Sequence, residues 1–293
     1  MAILNLGSIN LDLVYQVPRI PAPGETLAAT GVARFLGGKG ANMSVAAARA
    51  GGQVRHFGAV GPDGAWALDA LGEAGVDCAG VLRLDAPTGQ AVILVDRAGQ
   101  NAITLLAGAN RAMPAAIVDA LLDRARPGDW LLLQNEAAHG PEAAARARAA
   151  GLRVAYAAAP FEADAVGALR GHVDLLAVNA VEATQLRDAF GASAAELGVE
   201  TVLVTRGSDG ADLHRRGMPT LHQAALPVAD VVDTTGAGDT FLGVLLGRLD
   251  RGDGAEAALG RAAAAAAIAV TRPGAAGAIP DLAEIDARLA AAS

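Results

Sequence analysis

The sequence predicts an α/β fold with a central, mostly parallel sheet, helices on both of its faces and a small β-sheet lid. In the second half of the chain, short apolar runs that look like buried strands alternate with helical patterns, and such alternation is typical of a parallel sheet. The strand-like runs lie at residues 130–133, 152–155, 175–178 and 201–205. The helical patterns between them lie near residues 141–150, 162–170 and 180–190. Because ligands collect at the carboxyl ends of such strands, we expect the functional site there.

Two β-rich stretches depart from this alternation and predict the lid. Residues 13–36 form short extended pieces that are interrupted by prolines and glycines, which disfavours a helix. Residues 88–106 contain two apolar segments around a turn-like stretch at 96–101, a pattern typical of a β-hairpin. We therefore expect a small sheet that projects from a single domain spanning residues 1–293.

Composition excludes several classes of protein. Although 53% of the 293 residues are hydrophobic, much of this is alanine, and no apolar stretch approaches the roughly 20 residues needed to span a bilayer. Cys78 is the only cysteine, which excludes an internal disulfide and a cysteine-based metal cluster. The net charge of −8 argues against a general nucleic-acid binder. Residues 1–6 lack the basic region and cleavage site of a signal peptide, so we expect a cytoplasmic protein.

Gly236 and Gly238 lie at a predicted strand-to-helix turn. Val228 and residues 231–232 lead into it as an extended apolar run, and a helical pattern follows from Thr240. The free amides and the dipole of a helix N-terminus attract anions, and glycine lets a ligand approach them closely. Asp239, in the same turn, could cap the helix. It could equally accept a hydroxyl proton during phosphoryl transfer, and the residues alone leave both readings open.

A second glycine cluster, at residues 37–42, opens another predicted helix. Its spacing makes neither a Walker A loop nor a dinucleotide-binding G-x-G-x-x-G. Gly37 and Gly38 allow close backbone approach, and Asn42 supplies an amide that can donate and accept hydrogen bonds, as a polyol requires. For Lys39, a solvated side chain is the alternative to a functional one.

Together, residues 37–42 and 233–241 resemble the signatures of the ribokinase-like, or PfkB, family of carbohydrate kinases, and further similar pieces lie between them in order. Within the family, the chain looks most like the ribose kinases. The resemblance implies ATP-dependent phosphorylation of a sugar primary hydroxyl, with D-ribose at O5 as the first expectation. Fructose, 2-keto-3-deoxygluconate or a nucleoside are alternative substrates. A catalytically silent sugar or nucleotide sensor is an alternative of another class, against which Asp239 counts.

The resemblance also implies roles for individual residues. Residues 7–12 alone read as an Asx-type turn after the first strand, but the family places sugar ligands there. The implied sugar contacts are Asn10, Asp12, Gly38, Lys39, Asn42, Glu136 and Asp239. In the implied catalytic turn, Asp239 accepts the hydroxyl proton while the amides of Gly236, Ala237 and Gly238 stabilise the transferring phosphoryl group. The implied nucleotide contacts are Asn179, Thr205, Gly207, Gly210 and Gly238.

Two cations and a dimer are also implied by the resemblance. Asn179 and Glu182 would help to place Mg²⁺, although locally they read as a helix N-cap with an acid in the first turn. The implied K⁺ ligands are Asp233 and the backbone carbonyls of Thr235, Ala269, Arg272 and Gly274. The implied partners are ATP, a small sugar and a second copy of the chain bound through the lid. The sequence departs from the family pattern at Met43, Ala157 and Ala278, where glutamine, asparagine and serine are common.

Overall fold

The structure is a computed structural model that describes residues 1–291. Its strands, in chain order, are β1 (Ile3–Leu6), β2 (Asn10–Gln16), β3 (Gly31–Gly37), β4 (Val54–Val60), β5 (Asp77–Arg83), β6 (Gly89–Val95), β7 (Asn101–Leu106), β8 (Trp130–Gln134), β9 (Arg153–Ala157), β10 (Leu175–Asn179), β11 (Thr201–Thr205), β12 (Ala211–Arg215) and β13 (Leu221–Gln223). Its α-helices are α1 (Lys39–Arg49), α2 (Ala65–Glu73), α3 (Ala109–Ala112), α4 (Ala116–Leu122), α5 (Gly140–Ala149), α6 (Ala163–Leu169), α7 (Ala180–Phe190), α8 (Ala237–Asp250), α9 (Ala255–Ala269) and α10 (Leu282–Ala290). Within residues 1–291, no helix combines the length and apolarity needed to cross a bilayer.

The larger sheet has the strand order β13, β12, β11, β10, β9, β8, β1, β4, β5. Its strands from β11 to β5 run parallel, and β12 and β13 add an antiparallel edge. Side chains alternate between two cores: Ile3 faces the core of α1, α8 and α9, whereas Leu4 faces that of α4 to α7. The predicted α/β class, with helices on both faces of a mostly parallel sheet, is confirmed.

The smaller sheet has the order β3, β2, β6, β7 and contains both stretches predicted to form the lid. It begins earlier than expected, because Asn10 already pairs with Gly37 on β3 and with Gly89 on β6. The Asx-type turn read from residues 7–12 was wrong at its carboxyl end. Asn10 and Asp12 lie two residues apart on a strand and therefore share one face of the small sheet.

The strand predicted before Gly236 is also wrong. Residues 224–235 form no strand, and Val231 and Val232 are 60% and 59% exposed. The amides of Val232 and Asp233 donate to the Val270 carbonyl at 2.8 Å and 3.2 Å, so this segment contacts the end of α9 in place of a strand ladder. A short valine run has extended propensity, but without a neighbouring strand that propensity does not make a sheet.

Helices α1 and α8 pack at close range through small residues. A Cβ atom on Gly243 would lie 2.6 Å from Ala46 Cβ, and one on Gly247 would lie 2.8 Å from the Ala47 carbonyl oxygen. Real Cβ atoms do not approach other atoms this closely, so both positions need glycine. This packing places the N-termini of the two helices side by side.

Candidate active site

The glycine turns at the start of α1 and α8 meet at the carboxyl ends of the parallel strands, where the fold class predicted a site. A cavity of about 230 Å³ lies there, lined by residues that include Lys39, Asn179, Glu182, Thr205 and Asp239. Residues from β10, β11 and the two helix N-termini therefore reach one space.

A larger cavity, of about 400 Å³, lies at the opposite end of the parallel strands. Three arginines line it, but Arg148 is paired with Asp174 at 2.5 Å and Arg216 lies 3.6 Å from Glu200. These ion pairs account for most of the charge, and none of the predicted site residues reaches this cavity.

The first turn of α8 is shaped for an anion. Gly236 caps the helix in the left-handed region, at φ 73°, where glycine is favoured. The Ala237 amide donates weakly to the Thr234 carbonyl at 3.2 Å, whereas the amides of Gly238 and Asp239 have no acceptor among residues 1–291. Two unpaired amides at the positive end of a helix dipole favour a negatively charged ligand.

Asp239 lies in this turn and is 7% exposed. Its Oδ2 accepts a hydrogen bond from Asn42 Nδ2 at 2.9 Å. Burial raises the pKa of Asp239, the nearby Lys39 charge and the Asn42 hydrogen bond lower it, and Glu136 raises it further. Lys39 and Asn42 thus lower the pKa that burial raises. Both favour the ionised carboxylate, the form in which a general base accepts a proton.

Lys39 is not the solvated side chain considered above. It is half-buried, and the carboxylates of Asp239, Glu136 and Glu182 raise its pKa although burial lowers it. The ammonium group is therefore charged and balances an otherwise acidic cluster.

Glu136 follows β8 and is tied to the start of α1. Its Oε2 accepts hydrogen bonds from Ser8 Oγ at 2.5 Å and from the Lys39 amide at 3.0 Å. Its second oxygen accepts none from residues 1–291. Sequence reasoning missed Ser8, whose only signal was its place beside Gly7 at the end of β1.

Asp12 is a buried carboxylate with no hydrogen-bond donor among residues 1–291. A Cβ atom on Gly37 would lie 2.0 Å from Asp12 Oδ2, so glycine on β3 leaves the space that this carboxylate fills. Burial, Glu136 and Asp239 raise the pKa of Asp12 to about 6. An unsatisfied buried carboxylate destabilises the free protein and is well suited to receive hydroxyl donors from a ligand.

Asn42 presents a further unsatisfied acceptor. The Asn42 amide nitrogen donates one hydrogen bond to Asp239, and the buried carbonyl oxygen of the same side chain has no hydrogen-bond partner among the described residues. Asp12, Asn42 and Glu136 thus offer acceptor oxygens next to Asp239. The set can bind a molecule with several hydroxyl groups and hold one of them near a base.

Asn179 and Glu182, which line the cavity, form the reciprocal cap at the start of α7. Asn179 Oδ1 accepts from the Glu182 amide and Glu182 Oε2 accepts from the Asn179 amide, each at 2.8 Å. The second Glu182 oxygen accepts no hydrogen bond from residues 1–291. Within those residues, no three His, Cys, Asp or Glu side chains are placed to hold a metal ion. A divalent cation here would need further oxygen ligands from a phosphate or water.

Thr205 ends β11 directly beside Asn179 on β10, so these two predicted nucleotide contacts are neighbours. Gly207 and Gly210 follow, at φ 57° and 88°. A Cβ atom on Gly210 would lie 2.0 Å from the Gln223 carbonyl oxygen. The glycine at 210 is therefore required by chain packing, whatever else it contacts.

The residues predicted to hold K⁺ lie mostly together. Asp233 accepts hydrogen bonds from the Thr235 amide at 2.9 Å and from the Gly274 amide at 3.0 Å. The Ala269 carbonyl already accepts from the Arg272 amide at 3.1 Å. Ala278 is buried and has no hydroxyl group to add. Carboxylate and carbonyl oxygens are the ligands that a hard cation prefers, and the Ala269 carbonyl is already occupied by the Arg272 amide.

Comparison with known proteins agrees with this geometry. A family model described as pfkB family carbohydrate kinase matches residues 2–282. The chain is 34% identical to ribokinase from Haemophilus influenzae over 94% of each chain, and 33% identical to ribokinase from Arabidopsis thaliana over 94% of this chain and 78% of the relative.

Solved structures give the same result. The structure of Arabidopsis thaliana ribokinase complexed with ribose and ATP has a TM-score of 0.86 at 31% identity, covering 99% of both chains. A Burkholderia thailandensis nucleoside kinase in complex with inosine has a TM-score of 0.87 at 26% identity, covering 99% of this chain and 97% of that one. The chain therefore belongs to the pfkB family of carbohydrate kinases and is itself a sugar kinase.

Proposed function

We propose that this sugar kinase transfers the γ-phosphoryl group of ATP to O5 of D-ribose. The observation that carries the proposal is that Asp12, Asn42 and Glu136 each keep an acceptor oxygen that receives no hydrogen bond from residues 1–291, near Asp239 at the start of an anion-binding helix. Ribokinases are the relatives at 33–34% identity, and one of the similar structures holds ribose and ATP.

In the proposed complex, the sugar satisfies the buried oxygens. Asp12 accepts hydrogens from two hydroxyl groups, and Asn42 and Glu136 accept one each. Asn10, Lys39 and the Gly38 backbone lie around the same space, and the first two can supply donors. Filling unsatisfied buried acceptors gives a polyol a large advantage over an analogue that lacks a hydroxyl group.

In the proposed reaction, Asp239 accepts the proton of the O5 hydroxyl as this oxygen bonds to the γ-phosphorus. The bond from that phosphorus to the bridging oxygen breaks, and ADP leaves with the electron pair. The amides of Gly238 and Asp239 stabilise negative charge on the transferring group, and the Gly236 and Ala237 backbone shapes their turn. Burial raises the pKa of Asp239, and the charge of Lys39 opposes this by lowering it, which favours the ionised base.

The nucleotide would lie along Asn179, Thr205, Gly207 and Gly210. Glu182, through its free oxygen, and Asn179 would help to hold Mg²⁺, with phosphate or water oxygens as the remaining ligands. Such an ion supplies charge neutralisation for the phosphates. Asp233 and the carbonyls of Thr235, Ala269, Arg272 and Gly274 would hold K⁺, whose charge would help to order the turn that leads into α8.

The small sheet would act as the lid of a single domain and as a dimer interface. The sheet exposes large apolar side chains on both faces: Val32, at 63%, lies on one, and Ile103 and Leu105, at 54% and 65%, lie on the face shared with Asp12. Apolar area of this kind is typical of an interaction surface. Closure over the sugar would exclude water, which otherwise would compete as the phosphoryl acceptor.

A nucleoside is the second candidate substrate, because a nucleoside kinase with bound inosine is as similar in structure as the ribokinases. ADP formation measured with a panel of D-ribose, fructose, 2-keto-3-deoxygluconate and nucleosides tests both. We expect the highest kcat/KM with D-ribose. A nucleoside that is preferred over ribose would overturn the substrate assignment, and the absence of ADP formation with every compound would overturn catalysis itself.

A further inference from the structure

We infer that Asn110 is a positioning residue that sets the orientation of the Asn10 side-chain amide, so that Asn10 offers its NH₂ group to the sugar rather than its carbonyl oxygen. The inference rests on the proposed sugar site and concerns how that site distinguishes donors from acceptors. Asn110 belongs to α3, just after the lid hairpin, and lies 100 residues from Asn10 in sequence.

Three hydrogen bonds hold the Asn110 side chain, which is 2% exposed. Its Oδ1 accepts from the Ile9 amide at 3.0 Å. Its Nδ2 donates to the Ile9 carbonyl at 3.3 Å and to Asn10 Oδ1 at 2.8 Å. The Asn110 amide therefore pairs with both backbone groups of one residue and with the side chain of the next.

Backbone polarity fixes which end of each amide lies where. An N–H group only donates and a carbonyl only accepts, so Ile9 leaves Asn110 a single orientation. Asn110 Nδ2 must then face Asn10, and Asn10 must accept this hydrogen bond with its side-chain oxygen. The Asn10 Nδ2 group is left on the other side of the amide, and it has no acceptor among residues 1–291.

A glycine on the neighbouring strand makes room for this amide pair. Gly89 on β6 pairs with Asn10 in the lid sheet. A Cβ atom at that position would lie 2.2 Å from Asn110 Nδ2 and 2.3 Å from Asn10 Oδ1. Any other residue at position 89 would push the two amides apart, so the pair is built into the packing of the strand.

This orientation matters because the neighbouring groups are acceptors. Asp12 shares a face of β2 with Asn10, and its carboxylate can only accept. A sugar hydroxyl placed between them can donate to Asp12 and accept from Asn10 Nδ2. If the Asn10 amide were reversed, the hydroxyl would lie between two acceptors, the Asp12 carboxylate and the Asn10 oxygen. Because a hydroxyl group has one hydrogen, it could donate to only one of them.

Replacing Asn110 by aspartate reverses the polarity of the pair. One carboxylate oxygen can still accept from the Ile9 amide, but the other now needs a donor, and Asn10 can supply its NH₂ group only by turning over. In Asn110→Asp we expect the sugar KM to rise about 10- to 100-fold, as for the loss of one buried hydrogen bond. We expect kcat and the KM for ATP to change by less than about 3-fold, because Asp239 and the nucleotide side are untouched.

A double-mutant cycle separates this role from a structural one. If Asn110 acts through Asn10, then Asn110→Asp changes the sugar KM by less than about 2-fold in an Asn10→Ala background. If the increases in sugar KM caused by the two single substitutions multiply in the double variant, the inference is overturned. Asn101→Asp is the matched control, since this exposed asparagine lies on β7 and has no side-chain hydrogen bond within residues 1–291. Its sugar KM should stay at the parent value.

Asn10→Asp tests the same idea without disturbing α3. Its carboxylate keeps the hydrogen bond from Asn110 but has no hydrogen for the sugar, so a sugar KM equal to that of the parent would also overturn the inference. The parent enzyme separates this outcome from failure of the proposed function. If the parent forms no sugar-dependent ADP, both proposals fall. If the parent is active and Asn110→Asp binds sugar normally, the inference alone falls.

Discussion

Asn42 donates a hydrogen bond to Asp239 across 2.9 Å and so joins the first turn of α1 to the first turn of α8. Both side chains are buried, at 4% and 7% exposed. Burial favours the neutral form of the carboxyl group, and the Asn42 amide favours the charged form. The amide therefore helps to set the pH at which Asp239 can act as a base.

Removal of this hydrogen bond should shift the pH dependence of the reaction. Because the Asn42 bond lowers the pKa of Asp239, the pKa rises in Asn42→Ala. The base must be deprotonated, so the acid limb of the kcat profile should move to higher pH, and the loss of rate should be larger at pH 6 than at pH 9. Rates measured from pH 5 to pH 9 at saturating sugar test this. An acid limb that stays in place would show that the amide does not tune the base.

The proton acceptor itself can be removed by Asp239→Asn. We expect turnover to fall by about 10²- to 10⁴-fold, while ATP binding and the melting temperature are retained. Asp250→Asn is the matched control, because Asp250 is a buried carboxylate at the far end of the same helix. Near-normal turnover in Asp239→Asn would refute the assignment, as would an equal loss in Asp250→Asn.

Asp12→Asn should make the fold more stable and sugar binding weaker. The folded pKa of Asp12, about 6, lies above its ordinary value of 3.8, so its contribution to stability is fully present below pH 3.8 and is lost as the pH rises through 6. The difference between these two pKa values corresponds to a loss of roughly 3 kcal/mol in the free energy of unfolding at pH values above 6. Urea unfolding should therefore show the variant to be the more stable protein at pH 8, with little difference near pH 4. A variant that is less stable than the parent at pH 8 would contradict the origin given for the raised pKa.

Potassium dependence should require Asp233. We expect the parent to be faster in K⁺ than in Na⁺, and we expect Asp233→Ala to lose this difference, with kcat lower by about 10-fold or more. Asp230→Ala, at an exposed position three residues earlier, should behave as the parent does. Equal parent rates in the two salts would remove the cation from the mechanism.

The lid should also be the dimer interface. Ile103 and Leu105 are exposed apolar side chains on the same face of β7, so replacing both with lysine should halve the mass measured by light scattering. Met218→Lys provides the control, since Met218 is 54% exposed but lies between β12 and β13, outside the lid. A parent protein that is monomeric at micromolar concentration would end this proposal.

Local signals explain what the sequence could predict. The helix predicted at residues 180–190 is observed with those bounds, because Asn179 and Glu182 cap it through neighbouring backbone groups. The alternation of strands and helices fixed the class of the larger sheet in the same way. The valines at 231 and 232 also favour an extended strand, but no partner strand lies beside them among residues 1–291.

The site could be predicted only as far as its glycine motifs reach. The resemblance brought Asp12, Asn42 and Asp239 together, but it did not indicate that Gly37 makes space for Asp12 or that Lys39 lies half-buried among carboxylates. Ser8 lies 128 residues from Glu136, and Asn110 lies 100 residues from Asn10. Ser8 lies between β1 and β2 and Asn110 lies in α3, and the sequence around neither residue indicates a partner so far along the chain.

The close packing of α1 against α8 has a consequence for how such an enzyme can change over evolution. Gly243 and Gly247 allow α1 and α8 to pack closely as one rigid pair, which holds Asn42 and Asp239. Asn10 and Asp12 belong to the separate small sheet. Substitutions in that sheet can change the preferred alcohol while the packed helix pair, and with it the proposed base, stays the same. The sheet that carries two of the proposed sugar contacts is thus distinct from the helix pair that carries the proposed base.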